Sequence, residues 1–182
     1  MIKEFEKRLI SSIILIPISI FFIAKGSVFF IFFLSVLFLA TSYEWIKMNK
    51  KNDLLKLLGI IFLFISFYTT LEIRENYNLN DFLLIITICI FTDIGGYLFG
   101  NIFKGPKLTR ISPKKTYSGV FGGFLLSLIA GLIFTNYFFI EKKIFNEDLF
   151  LLIIILFISM ISQIGDLIIS FFKRKAKLKD TG

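Results

Sequence analysis

The sequence contains no histidine, one cysteine and three prolines among its 182 residues. Without His it lacks the side chain that most often moves protons at neutral pH and the commonest zinc ligand. A single cysteine, Cys89, excludes an internal disulfide framework and a metal site built from paired thiols. Any chemistry therefore has to come from carboxylates, basic side chains, hydroxyl groups and a hard cation that prefers oxygen ligands.

Charged residues are also scarce, at 19% of the chain, whereas 56% of the residues are hydrophobic and 25 are Phe. The mean hydropathy of +0.82 is far above that of a water-soluble domain. This composition indicates an all-α integral membrane protein, a polytopic bundle of transmembrane helices. Six apolar runs approach the roughly 20 residues that a spanning helix needs. They cover about residues 9–24, 27–43, 54–71, 82–99, 120–140 and 149–172.

The connections between these runs predict the topology. Only Lys25 and Gly26 separate the first two runs, which predicts a tight helical hairpin. Of the 21 Lys and Arg residues, 17 fall on alternate connections that begin with the N-terminal segment, and four fall on the others. By the positive-inside rule both termini are expected in the cytoplasm, in what we expect to be a bacterial inner membrane. Topology and anionic lipid explain the net charge of +8, so nucleic acid is not an expected partner.

Two carboxylates lie well inside the apolar runs, Asp93 in the fourth and Asp166 in the sixth. An intramembrane charge costs at least about 2.5–3.5 kcal/mol on insertion scales, which makes each a functional candidate. A polar contact between helices is the alternative. Each acid stands about seven residues before the cytoplasmic end of its run, roughly 10 Å below the same face at about 1.5 Å per residue. We therefore expect the two acids to share one cavity open to the cytoplasm.

Polar and small residues accompany these acids. Three- and four-residue steps on the sixth run place a polar stripe on one helix face, formed by Ser159, Ser162, Gln163, Asp166 and Ser170. That face is not expected to contact lipid. Near Asp93, three glycines permit either close helix packing or the approach of a ligand to the backbone. These glycines are Gly95, Gly96 and Gly100.

The connection between the fourth and fifth runs is basic and rich in Gly and Pro. It places two ammonium groups beside two hydroxyl groups, in Ser112, Lys114, Lys115 and Thr116. Compact charges and hydroxyl donors beside a glycine-flanked backbone suit phosphate oxygens. A loop that only anchors the chain at the membrane surface would also be basic, so both interpretations stay open at this point.

The end of the chain has a more particular order. Ser170 is followed after two residues by Lys173-Arg174, and after four more by Lys179-Asp180, one further residue and Gly182. This order resembles the signature of the phosphatidate cytidylyltransferases, membrane enzymes that make CDP-diacylglycerol. Three upstream segments are similar to the same family: Thr92-Asp93 with Tyr97 and Gly100, 111–116 with Gly119, Gly122 and Gly123, and Gly165-Asp166-Leu167. We therefore expect N-terminal transmembrane helices over 1–91 and a catalytic region over 92–182.

Two departures from the family pattern are visible. Gly96 stands where a small Ala is common before the Tyr. The family signature also continues through His-Gly-Gly and Asp-Arg-x-Asp elements, whereas this chain stops at Gly182. From this we expect a truncated product with no more than trace activity, because the later carboxylates would add metal ligands.

The resemblance implies the transfer of CMP from CTP to phosphatidate, which gives CDP-diacylglycerol and pyrophosphate. It implies Mg²⁺ bound by Asp93, Asp166 and Asp180, with Asp93, Asp166, Lys173 and Arg174 as catalytic residues. Phosphate contacts are implied for Ser112, Lys114, Lys115, Thr116, Ser170 and Lys179. The expected partners are CTP, phosphatidate and membrane lipid, and a homodimer is compatible with the sequence. Two alternatives stay open: a CTP-dependent polyprenol or phytol kinase, and a small cation-coupled transporter.

Overall fold

A computed structural model of the chain describes residues 2–49, 52–109, 112, 115–138 and 147–175. This part of the chain forms six helices and one isolated antiparallel bridge, between Lys107 and Thr116. The helices are α1 (Ile2–Lys25), α2 (Ser27–Met48), α3 (Asp53–Asn76), α4 (Leu79–Phe103), α5 (Tyr117–Phe138) and α6 (Glu147–Lys175). Each predicted apolar run corresponds to one helix, so the all-α fold is confirmed.

Five of the described helices, α2 to α6, are long and apolar enough to cross a membrane. The part of α1 whose side chains are described, Ser12–Lys25, is a shorter apolar helix. The described helices therefore give five full-length candidate spans and one shorter apolar helix where the sequence predicted about six spans. Large apolar side chains such as Leu39 and Phe62 are about two-thirds exposed (68% and 67%), as is typical of side chains that contact lipid. The chain is an integral membrane protein.

The first of two compact units, Met1–Leu79, contains α1, α2 and α3. Gly26 alone joins α1 to α2, with a φ of +64° that favours glycine. At the other end of α2, the Trp45 indole Nε1 donates a 3.0 Å hydrogen bond to the Leu55 carbonyl of α3. A Cβ at Gly59 would lie 1.7 Å from that Nε1. The absence of a side chain at Gly59 therefore makes room for the indole.

Two charged residues at the end of α3 hold the α1–α2 connection. Arg74 donates from Nε to the Ile23 carbonyl at 2.8 Å and from Nη2 to the Ala24 carbonyl at 3.3 Å. The Glu75 carboxylate accepts a 2.6 Å hydrogen bond from the Ser27 N–H. The last carbonyls and first N–H groups of helices lack partners within their own helix, and these contacts supply them. The predicted tight hairpin is thus confirmed, and α3 fixes its connection.

The second compact unit, Asn80–Gly182, contains α4, α5 and α6; the functional division at residue 92 stays a prediction. Glycines let α4 and α5 meet backbone to backbone. A Cβ at Gly95 would lie 2.2 Å from the Gly122 carbonyl oxygen, and one at Gly119 would lie 2.7 Å from the Gly96 carbonyl oxygen. Small residues permit such close approach between membrane helices.

The described part of the α4–α5 connection is an ordered turn. After α4 ends at Phe103, the chain reverses and the Leu108 N–H donates a 2.8 Å hydrogen bond to the Lys115 carbonyl. The Tyr117 N–H donates to the Pro106 carbonyl at 3.1 Å. The Thr116 hydroxyl then accepts from the Gly119 N–H at 3.1 Å, which makes Thr116 the N-cap of α5. These bonds fix the backbone of Lys115 beside the start of α5.

Candidate active site

A cavity of about 240 Å³ lies among α4, the start of α5 and α6 in the second unit. Its lining includes Asp93, Gly96 and Tyr97 from α4, Lys115 and Thr116 from the connection, and Gln163 and Asp166 from α6. The prediction that the two intramembrane acids share one cavity is confirmed. The cavity also receives one of the two adjacent lysines of the basic connection.

An ion pair joins the basic connection to α6 inside this cavity. The Lys115 ammonium donates to Asp166 Oδ2 at 2.9 Å and to the Gln163 carbonyl at 3.4 Å. The Lys115 side chain is 27% exposed and that of Asp166 is 54% exposed, so the pair is accessible to a ligand. Among the described lining residues a single ammonium faces two carboxylates.

The donor set of the cavity fits Mg²⁺. The described residues contain no group of three or more His, Cys, Asp or Glu that could hold a metal ion. The carboxylates among the described lining residues are those of Asp93 and Asp166. Mg²⁺ suits such a pair, because it is usually bound by one or two carboxylates and fills its other positions with water and substrate phosphate oxygens. Mg²⁺ at this cavity stays a prediction, and its two carboxylates would be those of Asp93 and Asp166.

Adjacent glycines on α4 have different surroundings. A Cβ at Gly95 would collide with the backbone of α5, whereas one at Gly96 would meet only the Gly119 carbonyl oxygen, at 3.8 Å. Gly96 also lines the cavity. Close packing is therefore confirmed at Gly95, whereas the approach of a ligand to the backbone at Gly96 stays a prediction. The Ala that is common in the family at the latter position would fit here.

Two buried hydroxyl groups connect α4 with α6 below the acids. Thr92 and Ser159 are 1% and 0% exposed, and their hydroxyl oxygens are 2.9 Å apart. Thr92 Oγ1 also lies 2.7 Å from the Ile88 carbonyl. Thr92 is the donor in both contacts, and its single proton is shared between the Ile88 carbonyl and the Ser159 hydroxyl. The polar stripe on the sixth run predicted the orientation of Ser159, but nothing in the sequence identified Thr92 as its partner.

The predicted residues of the basic connection have different positions. Lys115 and Thr116 line the cavity. Ser112 lies outside the cavity lining: its N–H donates to Thr109 Oγ1 at 3.2 Å, and its carbonyl accepts from the Lys115 N–H at 3.0 Å. It shapes the turn that precedes Lys115. Lys114 lies outside the described residues.

Of the site residues predicted near the end of the chain, those that the structure describes lie outside the cavity lining. Ser170, Lys173 and Arg174 continue α6 by one to two turns beyond Asp166. Their contacts with phosphate stay a prediction. Lys179 and Asp180 lie outside the described residues. Gln163, which the sequence placed on the polar stripe but not among the site residues, lines the cavity and donates from Nε2 to the Val120 carbonyl of α5 at 3.5 Å.

The chain is similar to a known family over the region that contains the cavity. The model of the cytidylyltransferase family matches residues 54–182, a range that includes the whole cavity. The chain is 33% identical over 180 residues to the phosphatidate cytidylyltransferase of Rickettsia bellii (strain RML369-C), with 96% of this chain and 78% of that protein covered. The Rickettsia conorii protein of the same name is 34% identical over 182 residues with the same coverage.

A more distant bacterium gives a similar result. The phosphatidate cytidylyltransferase of Staphylococcus saprophyticus is 35% identical over 150 residues, which cover 80% of this chain and 55% of that protein. No solved structure matches significantly. The family match covers well over half of the chain, and relatives from two bacterial genera agree with it. The chain belongs to the cytidylyltransferase family.

Proposed function

We propose that this chain is a phosphatidate cytidylyltransferase, which transfers CMP from CTP to phosphatidate and releases pyrophosphate. The observation that most supports this function is the convergence of Asp93, Asp166 and Lys115 on one cavity inside the family-matched helices. An enzyme that joins a soluble nucleotide to a membrane lipid needs a charged site within reach of both. A cavity among spanning helices, bordered by an ordered basic connection, meets that requirement.

The reaction depends on neutralising negative charge more than on proton transfer. A phosphate oxyanion of phosphatidate attacks the α-phosphorus of CTP, the bond from that phosphorus to the bridging oxygen of the β-phosphate breaks, and pyrophosphate leaves with the electron pair. The nucleophile is already an anion, so a general base is dispensable, in keeping with a sequence without His. The principal barrier is the approach of two anions, and positioning with electrostatic stabilisation lowers it.

The cavity residues divide this work. Asp93 and Asp166 would hold Mg²⁺, which when bound supplies charge neutralisation and a template for the phosphates. The Lys115 ammonium, now 2.9 Å from Asp166, stands on a flexible stem and can turn to a phosphate oxygen. Thr116 caps α5 at the cavity wall, and the positive end of that helix dipole favours an anion there.

We further propose that the cavity opens to the cytoplasm of a bacterial cell, with both chain termini on that side of the inner membrane. The distribution of basic residues, 17 against four, supports this orientation. Soluble CTP would then enter from the cytoplasm while phosphatidate arrives within the bilayer. Lys173 and Arg174, at the end of α6, would lie near the anionic headgroups.

Position-specific labelling of CTP tests the function. The full-length protein is purified, placed in vesicles that contain phosphatidate, and supplied with Mg²⁺ and CTP labelled at the α- or the γ-phosphate. We expect the α label in the lipid product and the γ label in pyrophosphate. Transfer of the γ label to an added polyprenol or phytol would instead indicate a kinase. Solute flux across sealed vesicles without any transfer of the α label would indicate a transporter, and either result would contradict the proposal.

A further inference from the structure

The hydrogen bond between Ser159 and Thr92 joins two helices, whereas several other hydroxyl groups in the described helices bond within their own helix. Elsewhere in the described helices, Ser35, Ser66 and Thr87 each donate to the carbonyl four residues earlier in their own helix, at 2.8 Å. A buried serine can always satisfy its hydroxyl in this way. Ser159 instead contacts a residue 67 positions away, on another helix. The interhelical bond is therefore a specific feature of the α4–α6 contact.

The Thr92–Ser159 bond lies where it can set the separation between the carboxylates of Asp93 and Asp166. Thr92 is adjacent to Asp93 in sequence. Ser159 belongs to the same stripe on α6 as Gln163 and Asp166 and stands two turns before Asp166, about 10 Å along the axis at about 1.5 Å per residue. Any sliding of α4 along α6 would change the separation of the two carboxylates. A bond that fixes the axial register of the two helices also fixes that separation.

The third helix of the unit supports the same register. A Cβ at Gly123 of α5 would lie 3.0 Å from the Thr92 carbonyl oxygen and 3.1 Å from Gln163 Nε2. The backbone of α5 therefore packs against α4 and α6 at the level of the Thr92–Ser159 bond. Helix contacts this close leave little room to adjust, because packed interfaces do not deform continuously.

We propose that Thr92 and Ser159 are positioning residues that set the separation of Asp93 and Asp166 for binding of a divalent cation. This inference rests on the proposed function, because it takes the two acids as the cation ligands. Thr92 borders the cavity but is 1% exposed, and Ser159 is 0% exposed and not among the lining residues; in this proposal neither hydroxyl contacts the reacting groups. Their effect is transmitted by α4 and α6, the helices that carry the two carboxylates.

Four single variants test the proposal. Thr92→Val and Ser159→Ala each remove one hydroxyl of the bond, whereas Thr92→Ser keeps it. Ser127→Ala is the matched control, because Ser127 is also 0% exposed but its hydroxyl donates to Phe124 of its own helix at 2.9 Å. Binding of Mn²⁺ to the purified full-length protein is measured by electron paramagnetic resonance of the free ion, without nucleotide. The Mg²⁺ concentration for half-maximal activity and kcat are measured in parallel.

We expect Thr92→Val and Ser159→Ala to weaken Mn²⁺ binding by about tenfold or more, the range found for residues that orient metal ligands. The Mg²⁺ requirement should rise by a similar factor, with a smaller change in kcat at saturating Mg²⁺. Thr92→Ser and Ser127→Ala should bind Mn²⁺ like the original protein. Equal Mn²⁺ affinity in all five proteins would overturn the positioning role while leaving the proposed function intact.

The double variant Thr92→Val/Ser159→Ala separates positioning from stability. Removing both partners of a buried hydrogen bond is nearly neutral for stability, whereas removing one leaves the other unsatisfied. We therefore expect the double variant to unfold at about the temperature of the original protein and still bind Mn²⁺ about tenfold more weakly. Recovery of Mn²⁺ affinity together with stability would overturn the inference. An original protein that binds no Mn²⁺ would contradict the metal role of the acids, and with it this proposal.

Discussion

Two adjacent glycines offer a sharp test of the α4–α5 interface. Gly95→Ala and Gly96→Ala add the same methyl group to neighbouring positions of one helix. At Gly95 the new Cβ would lie 2.2 Å from the Gly122 carbonyl oxygen and 2.7 Å from its carbonyl carbon. At Gly96 it would lie 3.8 Å from the Gly119 carbonyl oxygen, an ordinary contact distance. The two substitutions should therefore have very different consequences.

The distances set the size of the effect. Ordinary contact begins at 3.4 Å, so Gly95→Ala requires the two backbones to separate by about 1.2 Å. Overpacking of this kind costs about 1–3 kcal/mol, and a displacement near 1 Å of catalytic groups can lower the rate by about 100-fold. Gly96→Ala meets no such obstacle. Since Ala is favoured over Gly inside a helix by about 1 kcal/mol, the Gly96→Ala variant should be as stable as the original protein or slightly more stable.

Thermal unfolding in detergent and cytidylyl transfer in vesicles measure both effects. Gly95→Ala should unfold at a lower temperature and lose most of its activity, whereas Gly96→Ala should keep both properties near their original values. Comparable losses in the two variants would refute the assignment of Gly95 to packing and Gly96 to the cavity. Normal behaviour of Gly95→Ala would refute the close approach of α4 to α5.

Two further predictions concern the charged contacts. Arg74→Gln should lower the stability of the α1–α3 unit by about 1.5–3 kcal/mol, the range for hydrogen bonds to charged groups. Unfolding of this variant is compared with that of Lys56→Gln, which removes only an exposed ion pair with Asp53. Equal stability of the two variants would contradict the role of Arg74. Lys115→Met should raise the KM for CTP by about tenfold or more, because it removes a charge-assisted contact. Lys107→Met changes a lysine of the same connection outside the cavity lining and should leave the KM unchanged. An unchanged KM in Lys115→Met would exclude the phosphate contact.

The helices were predictable because the bilayer imposes a simple rule. Apolar runs near 20 residues become helices, and all six runs did. Contacts between helices follow no such rule. The hydrogen bonds from Arg74 to Ile23 and Ala24 join residues about 50 positions apart, and no local pattern predicts them.

Part of the candidate site was predictable because placing a polar side chain in a bilayer costs free energy. Asp93 and Asp166 are costly in a bilayer, so their position alone marked them, and the periodicity of α6 placed Gln163 beside Asp166. The sequence predicted phosphate contacts for both Lys114 and Lys115. The position of Lys115 depends on the turn built by Ser112 and Leu108, which no local pattern predicts, and Lys114 lies outside the described residues.

Neutralisation of Asp166 tests the central claim most directly. In the full-length enzyme, Asp166→Asn is compared with Asp81→Asn, which alters the first turn of the spanning helix α4 outside the cavity lining. Loss of the ligand of a divalent cation removes several kcal/mol of transition-state stabilisation, so kcat for cytidylyl transfer should fall on the order of 100-fold or more in Asp166→Asn. Membrane insertion should persist, because the change removes an intramembrane charge, and Asp81→Asn should remain active. An Asp166→Asn enzyme with near-normal turnover and unchanged Mg²⁺ dependence would contradict the account.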